Sequence, residues 1–354
     1  MIFSLFSLAK HAFFSSMLIA IVLLQTTGCS SDSSSSQPAQ PPPVSPTPTP
    51  TPVPQAGVCS SSEADHTCAT NSAGRVTCWG RNDDGQLGLG DTANRGDGAG
   101  EMGSSLTAVS LGTNRKAIAI SGGSRHSCAI LDNGAVKCWG RNDSGQLGLG
   151  DTDSRGDELG EMGDALGAVN LGTGRTAKAL TGGTSHTCAI LDNDSVKCWG
   201  KNSAGQLGLG DMDDRGDGAG EMGDTLGTVN LGTGRTAKRL VSGSGHNCAI
   251  LDNNSVKCWG LNTAGQLGLG DTDDRGNNAG EMGDSLPTVN LGSGRSVKKL
   301  ALGANHGCAL LDNDTLKCWG FNMSGQLGLG DTSGRGSAGG EMGDSLPAVD
   351  VDLN

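Results

Sequence analysis

The chain has no tyrosine and few other aromatic residues. Its 354 residues include five tryptophans and five phenylalanines, and four of the phenylalanines lie before residue 15. A folded core must therefore be built mainly from Leu, Val, Ile and Ala, which favours thin sheets stacked face to face. Positive charge is also scarce, because 25 Lys and Arg against 37 Asp and Glu give a formal net charge of -12. Phosphate backbones would repel such a chain, so nucleic acid is not an expected partner.

The tryptophans recur at a fixed spacing of 60 residues. They stand at Trp79, Trp139, Trp199, Trp259 and Trp319. Five histidines follow the same period, at His66, His126, His186, His246 and His306. A fixed period of this length is typical of repeat architectures. Residues 57–354 are therefore predicted to form five copies of one unit.

The N-terminal segment is predicted to be an export signal. Lys10 and His11 precede an apolar run from Ala12 to Leu24. This run is too short to span a bilayer and is typical of a secretory signal. The Thr-Thr-Gly-Cys junction that ends at Cys29 resembles a bacterial lipoprotein signal. Residues 1–28 are therefore predicted to be removed and Cys29 to be lipidated, with ordinary cleavage nearby as the alternative.

Residues 29–56 are predicted to be a disordered tether. The segment is rich in Ser, Thr and Pro and contains nine of the eleven prolines. Such a composition cannot bury a core and behaves as a stalk. Ser30 is not the Asp that often retains lipoproteins at the inner membrane. The resemblance therefore implies a lipid-anchored protein of the bacterial cell envelope, at the outer membrane or the cell surface.

Residues 117–171 show the organisation of one unit. Strands are predicted at Ala117–Ser121, Ser127–Leu131, Ala135–Trp139 and Ala168–Leu171. The three-residue loop between the second and third strands ends on Gly134, where a residue that tolerates positive φ is required. With this loop, Cys128 lies directly opposite Cys138 on one face of the hairpin.

Ten of the twelve cysteines form such pairs. The pairs are Cys68 with Cys78, Cys128 with Cys138, Cys188 with Cys198, Cys248 with Cys258, and Cys308 with Cys318. In an exported chain these pairs are expected to be disulfides. The alternative is metal binding through His126, Cys128 and Cys138, although a structural zinc site wants four ligands. Cys59 is left over, and the spacing aligns it with Ala119 in the first strand.

The sequence around each tryptophan resembles a known repeat. His-x-Cys-Ala is followed by Cys-Trp-Gly-x-Asn-x-x-Gly-Gln-Leu-Gly-x-Gly in all five units. This pattern resembles the regulator-of-chromosome-condensation repeat. The resemblance implies an all-β fold, a β-propeller whose blades are four-stranded antiparallel sheets, although propellers of the family usually have seven blades. Twenty strands favour a closed five-bladed ring here, and an open arc or assembly with another chain is the alternative.

The long connections after the third strands are acidic. A connection such as Gly140–Gly167 is long enough to serve binding. The candidate residues are Asp151, Asp153, Asp157, Glu161, Asp211, Asp213, Asp217, Glu221, Asp271, Asp273 and Glu281. One hypothesis is that they form a rim that binds a cationic partner or calcium. The alternative is a set of solvated loops that keeps the protein soluble.

No catalytic set of residues is recognisable in the sequence. The recurring histidines have no nucleophile or general base at a sensible spacing, so a structural hydrogen bond is expected for them. The sequence therefore favours a non-catalytic interaction scaffold with a protein or cationic surface partner, no cofactor and, because it is exported, no small GTPase partner. The alternative is a secreted hydrolase or carbohydrate-binding propeller that acts on an extracellular polymer.

Overall fold

The fold is built from antiparallel strands. The computed structural model describes residues 57–59 and 64–351, and the strands of this part form five three-stranded sheets. The predicted signal and tether, residues 1–56 with Cys29, lie outside the described residues. Within that described part, none of the helices has the length and apolarity needed to cross a membrane.

Each repeat supplies one sheet, here called a blade and numbered 1 to 5 along the chain. The strands are β1 (Gly57–Cys59), β2 (His66–Thr70), β3 (Val76–Gly80), β4 (Ala117–Gly122), β5 (His126–Leu131), β6 (Val136–Gly140), β7 (Ala177–Gly182), β8 (His186–Leu191), β9 (Val196–Gly200), β10 (Ala237–Ser242), β11 (His246–Leu251), β12 (Val256–Gly260), β13 (Val297–Leu302), β14 (His306–Leu311) and β15 (Leu316–Gly320). Short 3-10 helices lie at Gly103–Ser105, Gly283–Ser285 and Gly343–Ser345.

The central hairpin of each blade has the predicted register. In blade 2, Cys128 pairs with Cys138 and Ile130 pairs with Val136 across β5 and β6. The third loop position is left-handed, with φ of 78° at Gly134. Disulfides join the five predicted pairs, Cys68–Cys78, Cys128–Cys138, Cys188–Cys198, Cys248–Cys258 and Cys308–Cys318.

The predicted fourth strand is wrong. Ala168–Leu171 does not form a strand, and its one backbone bond to the blade runs from the Val169 N–H to the Val136 carbonyl at 2.8 Å. The corresponding segment of blade 5 makes the same single bond, from Val349 to Leu316. Val169 and Leu171 are buried, so apolar packing holds this segment where a ladder of hydrogen bonds was expected.

Neighbouring blades pack through one recurring interface, here called the seam. The face of a blade that contacts the next blade is its trailing face, and the face that contacts the preceding blade is its leading face. Between blades 2 and 3, the trailing side chains of Cys128, Ile130 and Val136 pack against Leu191 and Trp199. Three further apolar clusters of the same composition join blades 1 and 2, 3 and 4, and 4 and 5.

The blades form an open array, so the closed ring expected from the strand count is not formed by the described residues. Each of the four clusters joins two consecutive blades, and none joins blade 5 to blade 1. Trp79 is only half-buried, whereas its four counterparts are fully buried. A Cβ added at Gly325 of blade 5 would meet nothing within 4 Å, whereas one at Gly265 would meet Ser337 of the next blade. The number of strands does not fix the rotation between consecutive sheets, and this rotation decides whether a ring closes.

Cys59 occupies a different position from the predicted one. It lies opposite Cys68, the register that Ser121 has opposite Cys128 in blade 2, and does not align with Ala119. The connection from β1 to β2 is longer than that from β4 to β5, which shifts the register. The thiol is free, and burial raises the pKa of Cys59 to about 12.

A pair of tryptophan variants tests the open array. Trp199→Ala should lower the free energy of unfolding by about 3 to 5 kcal/mol, because it empties a closed seam. Trp79→Ala, the matched control, should cost clearly less, since one side of this ring already meets solvent. Denaturant unfolding followed by circular dichroism measures both values, and equal losses would contradict the open array.

Candidate binding face

A buried asparagine fixes the start of each long connection. The Asn142 side-chain amide donates to the Asp151 carbonyl at 2.8 Å, and its oxygen accepts the Leu147 N–H at 2.9 Å. The side chain is fully buried. Equivalent bonds are made by Asn82, Asn202, Asn262 and Asn322. These bonds give a structural reason for the Asn-x-x-Gly-Gln-Leu-Gly pattern.

Two of the candidate acidic positions are used inside the connection. Asp151 forms an ion pair with Arg155 at 2.7 Å. Glu161 accepts the N–H groups of Gly156 at 2.8 Å and Glu158 at 3.1 Å. The same roles are filled in blades 3 and 4 by Asp211, Glu221, Asp271 and Glu281. These carboxylates hold the shape of the loop and are not available as an open rim.

A third acidic position lies in the seam. Asp157 packs against Gly85 of the preceding blade, where an added Cβ would collide with the Asp157 backbone. Burial, together with the nearby Glu161 carboxylate, raises the pKa of Asp157. Asp217 has the same place against Gly145, and burial also raises its pKa. The Arg-Gly-Asp triplet that ends at Asp157 is thus part of the blade packing.

The fourth acidic position is exposed. Asp153, Asp213 and Asp273 lie at corresponding places in blades 2, 3 and 4. Within the described part of the chain, their carboxylates accept no hydrogen bond and form no ion pair. Ala93 and Ser333 stand at this place in blades 1 and 5. We call Asp153, Asp213 and Asp273 the aspartate row, and this row is what remains of the predicted acidic face.

The recurring histidines are structural. His126 Nε2 lies 2.8 Å from the Thr187 hydroxyl across the seam, and His66 and His186 make the same contact with Ser127 and Asn247. Burial lowers the pKa of His126 to about 3, and its histidine neighbours add to the effect. The structural hydrogen bond expected from the sequence is confirmed for these three histidines.

The described residues offer no ready-made metal site. Among residues 57–59 and 64–351, no group of three or more His, Cys, Asp or Glu side chains is placed to hold an ion. The three residues considered as metal ligands have other partners: His126 Nε2 contacts the Thr187 hydroxyl, and Cys128 and Cys138 form a disulfide.

The family is shown by comparison with known repeats. Models described as "Regulator of chromosome condensation (RCC1) repeat" match residues 117–146, 177–206, 237–266 and 297–326, and residues 73–130 and 254–310. Together these matches cover more than half of the chain. The chain belongs to the RCC1 repeat family.

Curated relatives of this RCC1-repeat protein are longer than the chain. The ultraviolet-B receptor UVR8 of Arabidopsis thaliana is 29% identical over 273 residues, which is 77% of this chain and 54% of that protein. Protein pim1 of Schizosaccharomyces pombe is 30% identical over 219 residues, 59% of this chain and 38% of that protein. The chain therefore spans about half or less of the length of these relatives.

Solved structures agree with the fold. Prp20p of Saccharomyces cerevisiae matches with a TM-score of 0.56 and 21% identity, over 76% of this chain and 57% of that chain. Human WBSCR16 matches with a TM-score of 0.59 and 17% identity, over 81% of this chain and 65% of that chain. At these identities the matches concern the fold alone.

The buried histidines make stability depend on pH. The pKa falls from 6.5 to about 4 at His66 and His186 and to about 3 at His126 and His246, chiefly through burial. Because the unfolded chain takes up these protons first, the histidines contribute fully to the free energy of unfolding above pH 6.5. This contribution is lost as the pH falls toward 4 for His66 and His186 and toward 3 for His126 and His246. At a pH one unit below the unfolded pKa, each of these histidines should lower the free energy of unfolding by about 1.4 kcal/mol.

Thermal unfolding between pH 8 and pH 5 measures this effect. The midpoint should be flat above about pH 7 and should fall steeply below about pH 6. A midpoint that stays constant down to pH 5 would show that the histidines are not buried in neutral form.

Proposed function

We propose that this RCC1-repeat protein is a lipid-anchored, non-catalytic scaffold of the cell envelope that binds a basic protein surface through its aspartate row. The supporting observation is the contrast between this row and the other candidate acids. Eight of the eleven candidates are engaged within the loops or the seams. In the described part of the chain, Asp153, Asp213 and Asp273 accept bonds only through their backbone carbonyls, and their exposed carboxylates are unpaired. Unpaired carboxylates at matching places of three rigidly packed blades suit a partner with several spaced positive charges.

A protein partner fits the row better than calcium does. Calcium needs six to eight oxygen ligands around one point. The three carboxylates belong to three different blades, and no acidic group suited to an ion is present among the described residues. Prp20p has binding properties to Gsp1p and histones, so protein binding has a precedent among proteins of this fold. For the present chain, the absence of a GTPase partner stays a prediction.

The hydrolase or carbohydrate-binding alternative has less support. Sugar rings stack on exposed aromatic faces, and Trp139, Trp199, Trp259 and Trp319 are fully buried. His66, His126 and His186 are buried in the seams and face hydroxyl or amide groups. These four tryptophans and three histidines are therefore not placed to meet a polymer substrate.

The lipid anchor is tested by fractionation. In a bacterial host that processes lipoproteins, the wild-type chain should sediment with membranes and incorporate labelled fatty acid. Cys29→Ala should lose the label and move to the soluble fraction, because one cysteine provides the whole attachment. A wild-type protein that is soluble and unlabelled would overturn the anchor and leave the binding proposal standing.

The aspartate row is tested by charge removal. A variant with Asp153→Asn, Asp213→Asn and Asp273→Asn should lose most binding to envelope or host proteins captured by the wild type, and that binding should weaken with salt. A control variant with Asp194→Asn, Asp314→Asn and Asp350→Asn changes the net charge equally at other exposed positions. The unfolding midpoints of both variants should stay close to wild type. Equal binding by both variants would contradict the proposal.

A further inference from the structure

The four seams use one repeated set of polar contacts. The indole N–H groups of Trp139, Trp199, Trp259 and Trp319 donate to the carbonyls of Gln86, Gln146, Gln206 and Gln266 at 3.0 to 3.1 Å. The Ser127 and Thr187 hydroxyls donate to the Gln86 and Gln146 carbonyls at 3.0 and 2.9 Å. Each seam thus joins donors on a leading face to acceptors on a trailing face.

The two end blades retain the unused halves of such a seam. The leading face of blade 1 has the half-buried Trp79 and Thr67, and neither side chain makes a hydrogen bond among the described residues. The trailing face of blade 5 has the half-buried leucines Leu310 and Leu316, in the register of Ile130 and Val136.

The two halves match each other position by position. Thr67 stands where Ser127, Thr187 and Asn247 provide the seam donor. Blade 5 has Gly307 at this place, and the buried His246 is left without a hydrogen-bond partner in the seam between blades 4 and 5. Across the two end faces, Trp79 would donate to the Gln326 carbonyl and the Thr67 hydroxyl would contact His306. The seam between blades 4 and 5 has the indole bond but lacks the contact to its histidine.

We infer that the leading face of blade 1 binds the trailing face of blade 5 of a second copy of this chain. Within one chain these faces do not meet, and bringing them together would change the rotation at all four close-packed seams. A second copy can supply the missing half without any such change. The contact is head to tail, so a pair of copies still has one free leading face and one free trailing face, and further copies can add.

One position makes the contact weaker than an internal seam. Asn71 stands where Leu131 packs in blade 2, and its side-chain oxygen accepts the N–H groups of Ala73 and Arg75 at 3.0 Å each. The exposed Asn71 adds no apolar area to the leading face of blade 1. The association should therefore be reversible and depend on concentration.

Two complementary variants test the contact. The full chain with Cys29→Ala, which removes any lipid anchor, serves as the parent for analytical ultracentrifugation. Trp79→Asp blocks the leading face and Leu316→Asp blocks the trailing face. Each variant should stay monomeric, the parent should gain mass as its concentration rises, and an equal mixture of the variants should shift to twice the monomer mass. Only the mixture holds one intact face of each kind on different molecules.

Other outcomes would overturn the inference. A parent that stays monomeric shows that the ends close within one chain or remain free. A parent that associates while the mixture does not form a complex shows a contact at another surface. Circular dichroism checks the fold of each variant, and Ala69→Lys with Leu310→Lys provides a second pair at half-buried positions of the same two faces.

Discussion

The fold depends on the seam, where a tryptophan of one blade closes over the disulfide-linked hairpin of the preceding blade. Trp199 fills the apolar contact with Cys128 and Val136, and its indole bond to Gln146 fixes its orientation. The chain has few aromatic residues, so each seam contains one tryptophan ring. The packing of this ring on the preceding hairpin also fixes the rotation between the two sheets. The places of the histidines, the long connections and the aspartate row all follow from it.

The disulfides and the seams have complementary roles. Each disulfide closes a short loop within one hairpin, which restricts the unfolded chain and is worth about 2 to 3 kcal/mol. The seams then align five stiff hairpins through near-identical contacts. An array built this way presents the same loop position at matching places of successive blades, which suits multivalent binding better than it suits a single reactive site.

Local chemistry was predictable from the sequence, and longer-range consequences were less so. The hairpin register followed from the loop that ends at Gly134, since turn type fixes the pairing of adjacent strands. The fate of Ala168–Leu171 depended on packing between blades, which no local pattern reports. Whether the blades close into a ring depended on the rotation at each seam, and the number of strands could not predict it.

The acidic face shows the same division. The pairing of Asp151 with Arg155 was not predicted, although the opposite charge four residues away was a local signal for it. The burial of Asp157 had no such signal, because its neighbour Gly85 belongs to another blade. Sequence reasoning also missed the buried Lys137, whose ammonium group donates to the Gly163 carbonyl at 2.6 Å. Its one signal was the recurrence of Lys before Cys-Trp in four of the five units.

Hydrogen exchange of the five indole N–H groups, followed by NMR, tests the seam most directly. In the dilute Cys29→Ala chain, where copies are too far apart to associate, four indole signals should be strongly protected and that of Trp79 should exchange fast. Five equally protected signals would mean a closed ring, and five unprotected ones would mean that the tryptophans do not hold the blades together.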